Sequence, residues 1–391
     1  MISGIAQRVS LAVVFIAVAC SARPLAAQGS VAVQGFGYPP GQLTVRAATT
    51  GGALGEFDQA GPLNPAALLN WGVAGAYLQY SPERRSTKIG GVSNTATVAR
   101  FPVFAIGLPA GQRYAFGISS STLLERNFST VTTARQRIRS DSVTTTSTET
   151  ARGAINDVQF GGAIQVTPWL RAGTALHVIT GENRLRTNRR IIADTGVRAD
   201  SVSYDDVGEQ STATFGGTAL SFGIELAPTK RLSLAGSARL GFGMRADLND
   251  STRRTADVPN RAGAAIRWEV AGANIAARYN WEGWSAMRGL GAAGNGVFDS
   301  NEFGIGAEVA GPKIRGGQLL VRLGARSRDL PFGVAGRQPT ERILGGGLGF
   351  PLAFGRAQLD LGLESASRKV PGLSNVSERG LITSFGFRLR T

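Results

Sequence analysis

His177, the chain's one histidine, is the first residue to test for chemistry. An imidazole acts as a general base only with a nucleophile and an orienting carboxylate in hydrogen-bond reach. Serines are plentiful, so the sequence neither supplies nor denies those partners, but it carries no nucleophile-elbow signature. His177 shares a strand face with Arg171, Gly173 and Ala175 and is expected as a structural, inward-facing side chain. A zinc site is excluded, because one His and one Cys, Cys20, cannot furnish four ligands. Asp205, Asp206 and Glu209 are oxygen donors of the kind calcium takes, yet no EF-hand spacing surrounds them, and they read as a solvated loop. Gly241-Phe242-Gly243 and Gly345-Gly346-Gly347 fall within strand-like runs, so they are not phosphate loops; such glycines permit bends or close approach by another segment. No enzyme activity, metal or cofactor is expected.

The charges that remain occupy regular positions. Glu225, Arg239, Arg267, Glu269, Arg278, Glu282, Glu308, Arg322, Arg326, Asp360 and Glu364 each sit in a run where apolar and polar residues alternate. Between Arg261 and Val270, Ala264, Ile266, Trp268 and Val270 share one face and Arg267 and Glu269 the other; Leu319, Val321 and Leu323 alternate in the same way with Arg322, Gly324 and Arg326. Side chains of a strand alternate between two faces, and a sheet closed in lipid needs an apolar outside and tolerates a polar inside. The charges are therefore expected in an inner ladder of mixed sign, bridging neighbouring strands.

About fourteen such strands are expected, near 71–81, 94–106, 113–124, 153–166, 169–181, 211–226, 231–245, 259–270, 273–283, 301–310, 317–327, 340–350, 356–366 and 379–390. Short connections at 167–168, 227–230, 271–272 and 351–355 alternate with long polar ones at 82–93, 125–152, 182–210, 284–300, 328–339 and 367–378, the pattern of an outer-membrane barrel. Aromatic residues near strand ends, Trp71, Tyr80, Trp169, Trp268, Tyr279, Trp281 and Trp284, suit interfacial girdles. A secreted β-sandwich also alternates, but gives no reason for the alternation of loop lengths.

Arg8, the apolar run Val9–Cys20 and the small residues to Ala27 describe a secretory signal peptide, too short to span a bilayer as a helix. A cut after Ala27 is expected, with Ala22 or a lipoprotein cut at Cys20 as rivals; after Ala27 the mature chain has no cysteine and folds without disulfides. No other segment has enough consecutive apolar residues for a helical span. The 53 glycines in 391 residues are about twice the usual share and form no repeat. The net charge, +15 overall and +13 without Arg8 and Arg23, comes from dispersed arginines, which argues against nucleic acid and suits anionic lipid head groups.

Ahead of the first strand lies GQLTVRAATTGGALGEFDQAGPLNPAALL, in which Asn64 fits a helix cap with Pro65 in the first turn. This Gly- and Ala-rich lead-in, Asn64-Pro65-Ala66, and the closing hairpins from Gly317 onward resemble the FadL-like outer-membrane transporters of hydrophobic compounds and the related PorV-like secretion barrels. The resemblance implies an all-β fold, a transmembrane antiparallel barrel of about fourteen strands with an N-terminal plug or hatch. Residues 1–27 would be the signal peptide, 28–70 the plug and 71–391 the barrel. It also implies passive uptake of a hydrophobic or amphipathic, fatty-acid-like molecule, with Asn64, Pro65 and Ala66 as helix cap or gate and the ladder holding the plug. The expected partners are outer-membrane lipid, a hydrophobic small-molecule ligand and the barrel-assembly machinery, whose recognised C-terminal strand the run Leu381 to Leu389 resembles. The alternative is an accessory barrel that binds a protein partner at its loops.

Overall fold

The structure is a computed structural model describing residues 30–90, 92–138, 141–193, 206–249, 252–291, 296–314 and 317–391. The expected signal peptide, its cleavage sites and Asp205 lie outside the described residues. One antiparallel sheet closes on itself as a fourteen-stranded barrel. Its strands are β1 (Gly75–Tyr80, continued as Glu83–Ile89), β2 (Val92–Val98, continued as Val103–Ala110), β3 (Tyr114–Glu125, continued as Phe128–Ile138), β4 (Asp141–Thr167), β5 (Leu170–Ala193), β6 (Val207–Leu226) and β7 (Leu232–Leu248). The circuit goes on with β8 (Thr252–Asp257, continued as Arg261–Val270), β9 (Ala273–Glu282), β10 (Ser300–Ile314), β11 (Gly317–Asp329), β12 (Thr340–Leu352), β13 (Ala357–Lys369) and β14 (Val376–Arg390). Closure joins β14 to β1, with Tyr80 opposite Phe385 and Glu83 opposite Ile382. Each of the four interrupted strands bends where the sequence breaks the ladder. In β1 the break is at Ser81-Pro82 and in β2 at Arg100 and Pro102, as expected of a residue that cannot donate to its neighbour.

The wall alternates as the period-two pattern requires. Ile266 and Trp268 are exposed while Ala265 is buried; Val321 and Leu323 are exposed while Arg322 is 2 % exposed; Phe385, Phe387 and Leu389 are exposed along β14. Large apolar side chains face outward on every strand, a continuous belt far beyond the few hundred Å² a soluble monomer leaves bare. Only lipid covers such a belt without cost. No helix among the described residues is long and apolar enough to cross a membrane.

Turns at one end are short. Ala271 and Gly272 both take positive φ (47° and 80°), the two-residue hairpin turn whose twist matches its strands. At the other end the sequence expectation needs correction. Within the expected loops 82–93, 125–152 and 182–210, residues 83–89, 92–93, 128–138, 141–151 and 182–193 are continuations of β1 to β5, paired residue by residue, as with Thr133 opposite Thr146 and Arg186 opposite Thr150. Both faces of these extensions are polar, so they lack the apolar alternation that marks the membrane part; their β-branched Thr and Val still favour a pleated backbone. Two expected girdle aromatics are also misplaced. Trp71 ends a 3₁₀ helix, Pro65–Trp71, and Trp284 begins another, Trp284–Leu290; both are buried. Tyr80, Trp169, Trp268 and Tyr279 do face outward.

Residues 30–74 lie inside the barrel. They form a five-residue α-helix, Val45–Thr49, and the 3₁₀ helices Gly55–Phe57 and Pro65–Trp71, nearly all buried. Glycines of the wall let this backbone come close. A Cβ on Gly304 would stand 2.0 Å from the Gly51 carbonyl oxygen, and one on Gly324 2.1 Å from the Thr50 carbonyl carbon.

Candidate functional site

The inner segment is held by charge at three heights. Nearest the short turns, Asn70 donates to Glu225 (3.1 Å), which also lies 3.7 Å from Arg171 and 3.8 Å from Arg267, while the Arg267 guanidinium covers the Phe57 ring at 4.6 Å. Around the middle, Arg46 pairs with Glu308 (2.7 Å), Glu308 with Arg322 (2.8 Å) and Arg322 with Asp360 (2.6 Å). Glu56 of the segment accepts from Arg278 (3.1 Å) and Ser237 (2.7 Å), with Arg261 at 3.7 Å, and Arg278 goes on to Glu302 (2.7 Å). Burial opposes ionisation of the Glu56 carboxyl; Arg261 and Arg278 outweigh it and hold the group below the usual carboxylate range. Arg326 pairs with Glu364 (3.3 Å).

Toward the long-loop end the density of charge rises. Four guanidinium groups, from Arg85, Arg100, Arg328 and Arg368, stand 4.6–5.1 Å from the ring centre of Tyr38, an inner-segment residue. Glu83, Glu125, Glu341 and Glu378 neutralise them: Arg368 alone touches Glu83 (2.7 Å), Glu341 (2.6 Å) and Glu378 (2.6 Å). The Tyr38 hydroxyl donates to Glu341 (2.9 Å) and accepts from Arg328 (2.7 Å). Cations over an aromatic face and fully paired carboxylates make burial of this cluster tolerable, whereas loss of one member would strand the others.

Of the residues expected in the ladder, Glu225, Arg239, Arg267, Arg278, Glu308, Arg322, Arg326, Asp360 and Glu364 face inward with charged partners. Glu282 faces inward but accepts from the Trp284 indole (2.7 Å). Glu269 shares the inward face of Arg267, opposite Asn274, and is exposed beside the 271–272 turn. Asn64, Pro65 and Ala66 meet the wall at β5 and β6. Asn64 caps the 3₁₀ helix by accepting from the Ala66 amide (3.0 Å) and donates to the carbonyls of Glu56 (3.0 Å) and Ile224 (3.2 Å). A Cβ on Gly223 would lie 1.9 Å from the Asn64 side-chain oxygen.

His177 faces inward with partners the sequence does not display. Its Nδ1 lies 2.8 Å from Asp157 and its Nε2 2.8 Å from the Ser221 hydroxyl, the order of a nucleophile-activating relay. Ser221 is 1 % exposed, and Asp157 is also bound by Arg239 (3.3 Å) and by Gln42 of the inner segment (3.1 Å). Enclosed in this way, the trio fastens Gln42 to the wall and leaves no room for a reacting carbonyl at the hydroxyl. Asp206 and Glu209 are exposed, and no group of metal-ligating side chains occurs among the described residues.

Beyond this layer, toward the long loops, the interior turns apolar. Leu124, Ile155, Ile179, Phe215, Met244, Trp284, Met287 and Phe332 are buried together, with Phe36 of the inner segment among them. The Phe36 ring meets Phe215 at 5.9 Å and Phe332 at 5.8 Å edge to face, and Trp284 meets Phe332 at 6.3 Å. Gly35 and Gly37, both at positive φ, seat this ring: a Cβ on Gly37 would stand 2.3 Å from the Glu125 carbonyl oxygen. The gaps between segment and wall beside Tyr38, Asn64 and Thr44 are small, about 30, 10 and 10 Å³, space for single waters.

The fourteen-stranded barrel has counterparts among solved structures. A FadL homologue from Pseudomonas aeruginosa superposes with a TM-score of 0.60 at 11% identity, over 90% of this chain and 99% of that one. The toluene transporter TodX of P. putida superposes with a TM-score of 0.59 at 10% identity, over 92% and 99%. The chain has the FadL-type barrel fold. CymD, a monoaromatic hydrocarbon channel, agrees, with a TM-score of 0.52 at 14% identity over 89% and 97%. No protein-family model and no curated protein matches the chain in sequence. Within the FadL-type fold, the residues sequence reasoning missed are Glu56 and Tyr38 of the inner segment and the Glu83–Arg85–Arg100 group. The breaks at Pro82 and Pro102 hide the phase of β1 and β2, where a count from Tyr80 across the break would have exposed it.

Proposed function

We propose that the protein is an outer-membrane channel through which hydrophobic small molecules pass passively, with residues 30–74 as the plug. The observation that carries this reading is the buried, aromatic-rich apolar cluster inside a lipid-facing barrel of this fold, beside an ion-paired inner segment. An apolar solute gains by leaving water for contact with such apolar side chains, at roughly 25 cal/mol per Å² covered. The gaps beside Tyr38, Asn64 and Thr44 hold only single waters, so passage along them requires the segment or the wall beside it to shift. The neighbouring solved proteins named as a toluene transporter and a monoaromatic hydrocarbon channel support the substrate class; a fatty-acid-like chain has the same apolar character. No bond is made or broken. Asn64-Pro65-Ala66 serves as the cap that keys the plug to β5 and β6. Phe215→Arg places an unpaired charge in the apolar cluster, and uptake of a labelled hydrophobic compound by cells bearing this variant is expected to fall at least tenfold with the barrel still assembled. Unchanged uptake would rule the cluster out as part of the path.

A further inference from the structure

The outer wall carries a second charge pattern, unlike the balanced one inside. Arg342 on β12, Lys369 on β13, Arg379 on β14, and Arg84 and Lys88 on β1 all point outward and are exposed. None of the five has an ion pair or hydrogen bond to another described side chain. The strands that bear them are consecutive around the closure: Arg342 opposes Ser367, Ser367 opposes Arg379, and Arg379 opposes Ser86. At a strand spacing of about 4.8 Å, Arg342 and Arg379 stand about 10 Å apart. The outward neighbours within this stretch are Ser86, Ser365, Ser367 and Ser377, hydroxyl donors, and no carboxylate faces outward among them; Glu83, Glu341 and Glu378 all turn inward to the Tyr38 cluster.

The height of these cations matters as much as their sign. Arg342 lies two residues from exposed Leu344, and Arg379 two residues from exposed Leu381, so the cations form the first outward step above the apolar belt on the long-loop side. Beside Arg342 the wall is indented by a groove of about 340 Å³ lined by Phe303, Ile305, Ala325 and Leu344. A cationic, hydroxyl-bearing shelf directly over an apolar groove complements a molecule with phosphate at one end and acyl chains at the other.

We propose that this shelf, on β12, β13, β14 and β1, binds the phosphorylated sugar head group of an outer-leaflet glycolipid, with an acyl chain in the Phe303–Leu344 groove. The proposal rests on the reading that the chain spans an outer membrane with its long loops outward. Phosphates take bidentate bonds from Arg342 and Arg379, and Lys369, Lys88 and Arg84 supply further charge. Because these contacts are partly exposed, binding weakens as salt shortens the screening length from about 10 Å at 0.1 M to about 3 Å at 1 M.

The test uses the full chain, purified in non-ionic detergent and titrated with bisphosphorylated lipid A or with the same glycolipid stripped of phosphate, bound lipid being counted by native mass spectrometry. The wild type is expected to retain the phosphorylated form at least tenfold better than the stripped form. The triple variant R342A/K369A/R379A is expected to lose that preference, while R184A/R186A/R189A, which removes equal charge from the projecting hairpins, keeps it. Equal binding of both glycolipids by the wild type, or undiminished binding by R342A/K369A/R379A, overturns the proposal. Heat-modifiable migration on gels reports that each variant is an assembled barrel. Recovery of the wild type in the soluble fraction of cells would overturn the membrane reading, and this proposal with it, whereas a lost lipid preference with normal hydrophobic uptake would leave the transport reading standing.

Discussion

Glu56 is buried with no exposure and is paired with two arginines of the wall, so its removal leaves Arg261 without its carboxylate partner, while Arg278 keeps Glu302. Breaking one member of a buried pair costs about 3–5 kcal/mol. Glu56→Ala is therefore expected to release the inner segment to proteolysis while the strands stay assembled, which limited digestion followed by mass spectrometry reads directly. The same carboxyl sets an acid limit. Its folded pKa is depressed, so its contribution is complete above the ordinary glutamate value of about 4.3, is lost as pH falls through the lower folded value, and is constant from there up to neutral pH. Protease protection of residues 30–74 is thus expected to be flat from pH 5 to 8 and to fall only at stronger acidity. At Ser221 the expectation is silence. Its hydroxyl has the hydrogen-bond partner of a nucleophile but is enclosed, so a fluorophosphonate probe should leave it unlabelled in the assembled barrel.

Among the elements, the fit of segment to wall depends on the absence of side chains. Gly304→Val drives a side chain into the Gly51 carbonyl and is expected to displace residues 50–53, seen as faster amide exchange there; Gly243→Ala, which meets nothing within 4 Å, is the matched control and should change nothing. The strands that cross lipid were legible because one face had to be apolar and the other did not. Arg267 and Arg278 could be placed inward from Trp268 and Tyr279 alone. The projecting part of β3 and β4 was illegible for the converse reason: Thr132, Thr133, Thr145 and Thr146 put polar side chains on both faces, so no apolar period marks them as strands. The inner segment gave only its cap, Asn64-Pro65, since a chain wrapped in polar walls follows no repeat. The Asp157–His177–Ser221 trio required the register between β4, β5 and β6, which residue spacing along one strand does not contain.

As a whole, the molecule sorts charge by environment. Inside, arginine and glutamate alternate to near balance around residues 30–74; outside, an apolar belt is capped by unpaired cations. A barrel of this kind has no stable soluble form, because its belt would be bare, and it needs no disulfide in the described residues to hold its ends together, because the β1–β14 pairing closes the circuit. The proposed transport rests on the contrast between the apolar cluster toward the long loops and the polar, ion-paired layer beside it. The most direct test is uptake: cells carrying the protein, cells lacking it, and cells carrying Phe215→Arg are offered a labelled hydrophobic compound such as toluene and, separately, a sugar of similar size. Uptake of the hydrophobic compound that rises with the protein, saturates, and is lost in the variant, with no change for the sugar, is the predicted result. Equal entry of the hydrophobic compound into all three, across every such compound offered, would contradict it.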